Sequence, residues 1–184
     1  MCTNNFKGQA MNLEKIGPGK NIPNDFNVVI EISANSAPIK FELDKEADIM
    51  VVDRFLGTAM FYPANYGFVP QTLSEDGDPV DALVVAPFAL PFGTLIHCRA
   101  LGMLKMEDES GIDAKIIAVP IEKVCPMYSN VKRIEDLPLL LLDQIKHFFE
   151  HYKDLEKNKW VKVQGWTDLA SAHKKLKDGV VRFK

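Results

Sequence analysis

The feature that most constrains this chain is a change of hydrophobic period. Over the first two thirds, apolar and polar residues alternate in short runs; from residue 138 the apolar positions recur at three- and four-residue steps. A period of two alternates side chains across the faces of a strand, whereas steps of three and four build one face of a helix. Residues 26–33 and 38–44 read as two strands joined by the polar turn Ala34-Asn35-Ser36-Ala37, and 49–53, 82–86, 94–104 and 114–119 as further strands. Turn signals recur between them at Gly57, Asn65-Tyr66-Gly67, Asp76-Gly77, Pro91-Phe92-Gly93 and Ser110-Gly111. Many short strands at such spacing suggest a small closed or nearly closed barrel. Leu142, Ile145, Phe148, Phe149 and Tyr152 then mark a long amphipathic helix from 138 to about 155, with Pro138 in its first turn. Residues 160–166 read as one more strand, and 167–177 as a second helix with Thr167 as its N-cap. The expectation is a β-rich α+β domain over 11–184, preceded by a disordered lead over 1–10.

Composition bounds the partners. The 184 residues carry 22 Lys and Arg against 25 Asp and Glu, a formal charge of −3, so no global field recruits nucleic acid or an anionic membrane. The three cysteines, Cys2, Cys98 and Cys125, have no C-x-x-C spacing and fit a reducing compartment. No apolar run approaches the roughly 20 residues that span a bilayer. The leading segment lacks the apolar stretch of a signal peptide, and Met11 offers a second start. The chain reads as cytoplasmic, with neither nucleic acid nor membrane as partner.

Chemistry concentrates at Asp76-Gly77-Asp78-Pro79-Val80-Asp81. Three carboxylates this close repel one another unless cations or water neutralise them. Oxygen ligands on a tight Gly/Pro loop suit hard ions such as Mg²⁺ or Mn²⁺; the competing reading is a solvated acidic turn. Asp108 and Asp113 flank Gly111 further on, followed by Lys115. Glu31 lies on the first strand, and Lys40 and Glu42 share one face of the second. Arg54 adds a planar donor fork suited to phosphate, while Tyr62, Tyr66, Tyr152 and Lys153 add hydroxyls and a further ammonium. Carboxylates alone would fit a calcium buffer, and cations alone a phosphate receptor. Both together imply an anionic substrate held partly by protein cations and partly by metal, which is the logic of metal-assisted phosphoryl hydrolysis.

Other motifs fail on spacing. The acidic loop is no EF-hand, because glycine falls at its second position and Pro87 at its twelfth. His147-Phe148-Phe149-Glu150-His151 matches H-x-x-E-H formally but also reads as an exposed helix face. Gly17-Pro18-Gly19-Lys20 lacks the spacing and hydroxyl of a P-loop.

The run Asp76 to Asp81 matches the D-x-D-P-x-D signature of soluble family I inorganic pyrophosphatases. The resemblance extends through Val28-Val29-Ile30-Glu31-Ile32, Pro38-Ile39-Lys40-Phe41-Glu42, Val52-Asp53-Arg54, Met60 to Gly67, Asp113-Ala114-Lys115 and His147 to Lys153. The chain resembles the shorter bacterial type, with Phe41, Ala64 and Phe68 as departures beside the motifs. The resemblance implies an OB-like closed five-stranded barrel with additional strands and two flanking helices. It also implies Mg²⁺-dependent hydrolysis of pyrophosphate to two orthophosphates, with several Mg²⁺ per site and Mn²⁺ or Zn²⁺ as substitutes. In that pattern Asp76, Asp81, Asp113, Asp108 and Glu31 hold metal, and Lys40, Arg54, Tyr66, Lys115, Tyr152 and Lys153 grip phosphate. Asp78 is the general base beside a metal-bridging hydroxide, and Glu42 and Tyr62 support the residues that touch substrate. The resemblance further implies a homohexamer; the barrel surface and the helix carrying His147 and His151 are the expected subunit contacts. The rival readings are an OB-like module that binds metal or nucleotide without catalysis, and a scaffold whose catalysis has lapsed. A module without chemistry has no use for so many carboxylates.

Overall fold

Alternation of apolar residues generates the strands of the computed structural model, which describes residues 15–44, 47 and 49–184. The expected lead at 1–10 lies outside the described residues. The strands are β1 (Phe26–Ile32), β2 (Ile39–Asp44), β3 (Ile49–Phe55), β4 (Asn65–Val69), β5 (Val80–Val84), β6 (Leu95–Asp108), β7 (Gly111–Ile112), β8 (Lys115–Pro120) and β9 (Val161–Thr167). The helices are α1 (Leu139–His151) and α2 (Leu169–Phe183). Antiparallel pairs β1–β4, β4–β5, β8–β6 and β6–β1, with the parallel pair β5–β8, join five strands into the expected closed ring. Closure leaves no unpaired edge within the ring. β9 extends the sheet beside β6, and β2 with β3 forms a separate hairpin.

Strand parity divides the ring wall into two faces. Phe26, Val28, Ile30, Val80, Ala82, Val84, Ile116 and Ala118 pack in one buried cluster with Ala172 and Leu176 of α2. The opposite parity sends Tyr66, Leu83, Ile117 and Val119 to a second cluster with Leu142, Ile145, Phe148 and Phe149 of α1. Burying each large apolar side chain stabilises the fold by about 1.5–3 kcal/mol. Asp81 shares parity with Leu83, and Lys115 with Ile117, so the α1 face also carries the polar chemistry.

Several expectations need correction. β4 reads as a turn in sequence but is a fully buried ring strand. Its Asn65 satisfies a buried crossing, accepting from Ala34 N and Leu90 N and donating to Phe88 O at 3.1, 2.8 and 3.1 Å. Its Gly67 permits close approach, since a Cβ there would lie 1.9 Å from the Val29 carbonyl oxygen. α1 ends at His151 rather than near 155, and successive turns take over as Asp154 N and Glu156 N bond to His151 O and Lys153 O. The N-cap of α2 is Asp168, whose carboxylate accepts from Ser171 N at 2.9 Å; Thr167 ends β9 and donates to Met103 O. α2 also continues through Gly179 to Phe183 instead of stopping at 177.

Gly67→Ala should break the β1–β4 contact, because a carbonyl oxygen and not a flexible side chain occupies the space. We predict a loss of about 3 kcal/mol or more in denaturant unfolding. A loss within ~0.5 kcal/mol, the range of an ordinary surface change, would contradict this account of the closure.

Candidate active site

Backbone irregularities aim the polar side chains. The β1–β4 register shifts between Ile30 and Ile32, at Glu31, and the β2–β3 register shifts just after the Lys40–Arg54 pair. Bulges of this kind re-aim a side chain without breaking the sheet. The second shift leaves Asp53 as the extra residue, pairing with both Lys40 (3.3 Å) and Arg54. In the ring, Tyr66 pairs with Leu83 and Ala82 with Ile116, which sets Asp81, Lys115 and Tyr66 side by side.

These elements surround an open cleft of about 290 Å³. Every site residue expected from the sequence lines it: Asp76, Asp78, Asp81, Asp108, Asp113 and Glu31; Lys40, Arg54, Lys115 and Lys153; Glu42, Tyr62, Tyr66 and Tyr152. At its centre Lys115 Nζ lies 2.5 Å from carboxylate oxygens of both Asp81 and Asp113, and 3.4 Å from the Tyr66 hydroxyl. To one side Lys153, also buried, donates to Asp108 at 2.7 Å and Glu109 at 3.1 Å. To the other, Lys40 pairs with Glu42, and Arg54 donates to Glu156 at 3.0 Å. Asp78 lies on the exposed loop, its backbone N–H donating to the Asp76 carboxylate at 3.1 Å. Tyr62 packs between Tyr66 and Phe148, with ring centroids 5.2 and 4.5 Å away.

Burial sets the electrostatics. It pushes the Glu31 carboxyl up to about 8, assisted by the charge of Asp81 and opposed by a bond from Leu43 N. Burial also raises Asp81 and Asp76, and keeps the Tyr62, Tyr66 and Tyr152 phenols protonated far above neutrality. For Lys115 burial acts downward, but Asp81 and Asp113 outweigh it and hold the ammonium charged. The wall therefore has more negative charge to bury than its own cations readily neutralise.

Sequence reasoning assigned no role to Asp53, Glu109 and Glu156, which hold the cations. Asp53 was visible beside Arg54; Glu109 and Glu156 depend on chain crossings that no local pattern encodes. The His147 and His151 rings lie 4.6 Å apart and tilted, with His151 on Asp154, and neither lines the cleft. Among the described residues no three Asp, Glu, His or Cys side chains converge as a ready-made metal cluster. Lys115 stands where Asp81 and Asp113 would otherwise meet.

Comparison with known proteins identifies the family. A family model described as inorganic pyrophosphatase matches residues 28–184. An inorganic pyrophosphatase from Ralstonia nicotianae is 59% identical over 174 residues, covering 95% of this chain and 99% of that one. The Escherichia coli inorganic pyrophosphatase is 57% identical over 162 residues, covering 88% and 92%. Among solved structures, the Coxiella burnetii pyrophosphatase superposes with a TM-score of 0.89 at 53% identity, over 92% of this chain and 100% of that one. The Thermus thermophilus pyrophosphatase gives 0.88 at 40% identity, over 94% and 98%. On this near-complete match, with the cleft's carboxylates and cations in place, the chain belongs to the inorganic pyrophosphatase family.

Proposed function

We propose that the protein hydrolyses inorganic pyrophosphate to two orthophosphates with the help of Mg²⁺. The observation that carries the reading is one cleft lined by a surplus of carboxylates, with Asp108 buried and Glu31, Asp81 and Asp113 half-buried, interleaved with Lys40, Arg54, Lys115 and Lys153. The donor set fits a hard divalent ion, because it is all oxygen and burial raises Glu31, Asp76 and Asp81 within it. Asp76, Asp81, Asp113, Asp108 and Glu31 would hold such ions, with Mn²⁺ or Zn²⁺ as substitutes. Bound metal would lower the pKa of water and offset phosphate charge.

The chain's own groups do the rest. Lys40, Arg54, Lys115, Lys153 and the Tyr66 and Tyr152 hydroxyls orient the phosphates and offset charge on the leaving oxygen. Water attacks one phosphorus, the bridging P–O bond breaks, and the attacking water's proton passes to the Asp78 carboxylate. Among the described residues no His or Cys lines the cleft, and Ser110 is held in the β6–β7 turn by its own N–H on Asp108. Direct attack by water therefore replaces a phosphorylated intermediate. Glu42 and Tyr62 orient Lys40 and Tyr66.

The family resemblance extends the proposal to a cytoplasmic homohexamer. No described helix is long and apolar enough to cross a membrane, and Cys98 and Cys125 are free thiols. Sedimentation at monomer mass would contradict the hexamer.

Orthophosphate release from pyrophosphate, measured with and without Mg²⁺ for the wild type and Asp81→Ala, tests the reading. Rapid Mg²⁺-dependent release that the variant loses is expected; none from folded wild type would leave a metal- or nucleotide-binding barrel without catalysis. Asp78→Asn should lower kcat by about 10²–10⁴-fold while Mg²⁺ affinity stays nearly unchanged; equal losses in both would remove the base role. Glu31 gives a pH signature in the metal-free protein. Its folded pKa of about 8 exceeds the ordinary value of 4.5, so the folded state binds more protons between those limits. That contribution to stability falls as pH rises through this window, and Glu31→Gln should flatten the slope of Tm against pH. An unchanged slope would contradict the burial argument.

A further inference from the structure

Helix α2 contains a glycine well inside its span, a residue that weakens helices unless something needs the space. A Cβ at Gly179 would lie 2.7 Å from Val80 Cγ2 and 3.3 Å from Thr72 Cβ, so the glycine lets α2 dock against both ends of the acidic loop. At that contact Leu73 N donates to the Gly179 carbonyl at 2.9 Å. One turn earlier Lys175, only 8% exposed, donates to Ser74 Oγ at 2.5 Å and pairs with Glu75; Arg182 reaches the same carboxylate at 2.7 Å. Ser74 passes the restraint on, its N–H donating to the Asp78 carbonyl at 2.7 Å. Thr72 Oγ1 accepts from Val80 N at 2.9 Å and closes the loop's far end. None of Lys175, Gly179 and Arg182 lines the cleft.

We propose that α2 braces the acidic loop through Lys175, a positioning residue that fixes Asp76, Asp78 and Asp81 for metal binding. The inference rests on the proposed metal role of that loop. Like-charged carboxylates push the loop open when metal is absent, so its shape must be held from outside the cleft. Lys175 does this by neutralising Glu75, the residue next to Asp76, and by gripping Ser74, which bonds the backbone of Asp78. An outer contact that orients metal-binding side chains changes metal affinity by about 10- to 100-fold when removed.

The test uses full-length Lys175→Met and Lys175→Arg, with Glu75→Gln as a shape-preserving variant that breaks the same pair. Mg²⁺ binding by calorimetry and the Mg²⁺ midpoint of pyrophosphate hydrolysis are read beside Tm. The expected result is a rise of about 10-fold or more in both Mg²⁺ constants for Lys175→Met and Glu75→Gln. At saturating Mg²⁺ kcat should stay near wild type, and Lys175→Arg should restore the midpoint. Should Lys175→Met fail to fold, Glu75→Gln alone decides. Unchanged Mg²⁺ constants with only a lowered Tm would overturn the brace and leave a purely structural ion pair. A wild type that neither binds Mg²⁺ nor hydrolyses pyrophosphate would instead overturn the proposed function.

Discussion

The structure turns on one buried ammonium. Lys115 sits between Asp81 and Asp113 at 2.5 Å from each, and its position follows from the parallel pairing of β5 with β8. Removing three charges from water is costly, and their mutual attraction offsets that cost only when each has its partner. Breaking such a buried set from one side typically costs about 3–5 kcal/mol. The same contact defines the chemistry. Lys115 offsets part of the charge of Asp81 and Asp113 in the metal-free wall; in the proposed reaction a divalent ion taking those carboxylates would free the ammonium for phosphate. In the proposed reaction, one lysine thus serves folding in the metal-free protein and substrate binding in the metal-loaded one.

The barrel would let that exchange proceed without rearranging the fold. Ring closure fixes the backbone under Tyr66, Asp81 and Lys115, and the opposite face of the same strands is packed solid with apolar residues. Functional groups on strands are held more rigidly than groups on loops. Around this wall lie the Asp76–Asp78 turn, the β6–β7 hairpin with Asp108, Asp113 just beyond it, and the turns after α1 with Lys153 and Glu156. α1 closes the cleft behind Tyr62 and Tyr152, whose rings pack on Phe148. A wall of charge is therefore mounted on two hydrophobic clusters; the bulge at Glu31 turns that carboxylate onto it, and the one at Asp53 sets a carboxylate against Lys40 and Arg54.

Much of this was legible in the sequence, for identifiable reasons. The three- and four-residue spacing of Leu142, Ile145, Phe148 and Phe149 gave the buried face of α1, and period-two runs gave most ring strands. The site residues were legible as ordered blocks resembling a family, and all of them line one cleft. β4 was illegible because Asn65-Tyr66-Gly67 carries turn chemistry; here Asn serves a buried hydrogen-bond crossing and Gly a close strand approach. α2 runs past the expected 177 through Gly179, which serves tight docking inside the helix. Glu109 and Glu156 could not be found, since their partners Lys153 and Arg54 lie 44 and 102 residues away in sequence. Local pattern encodes elements well; it encodes poorly the long-range ion pairs that aim them.

The most direct test is a crystal structure of the protein with Mg²⁺ and a non-hydrolysable pyrophosphate analogue. The account predicts cations on Asp76, Asp81 and Asp113, with Lys115 turned from those carboxylates to the analogue's phosphate oxygens. Lys115 still lodged between Asp81 and Asp113, with the cleft empty of metal and analogue, would contradict it.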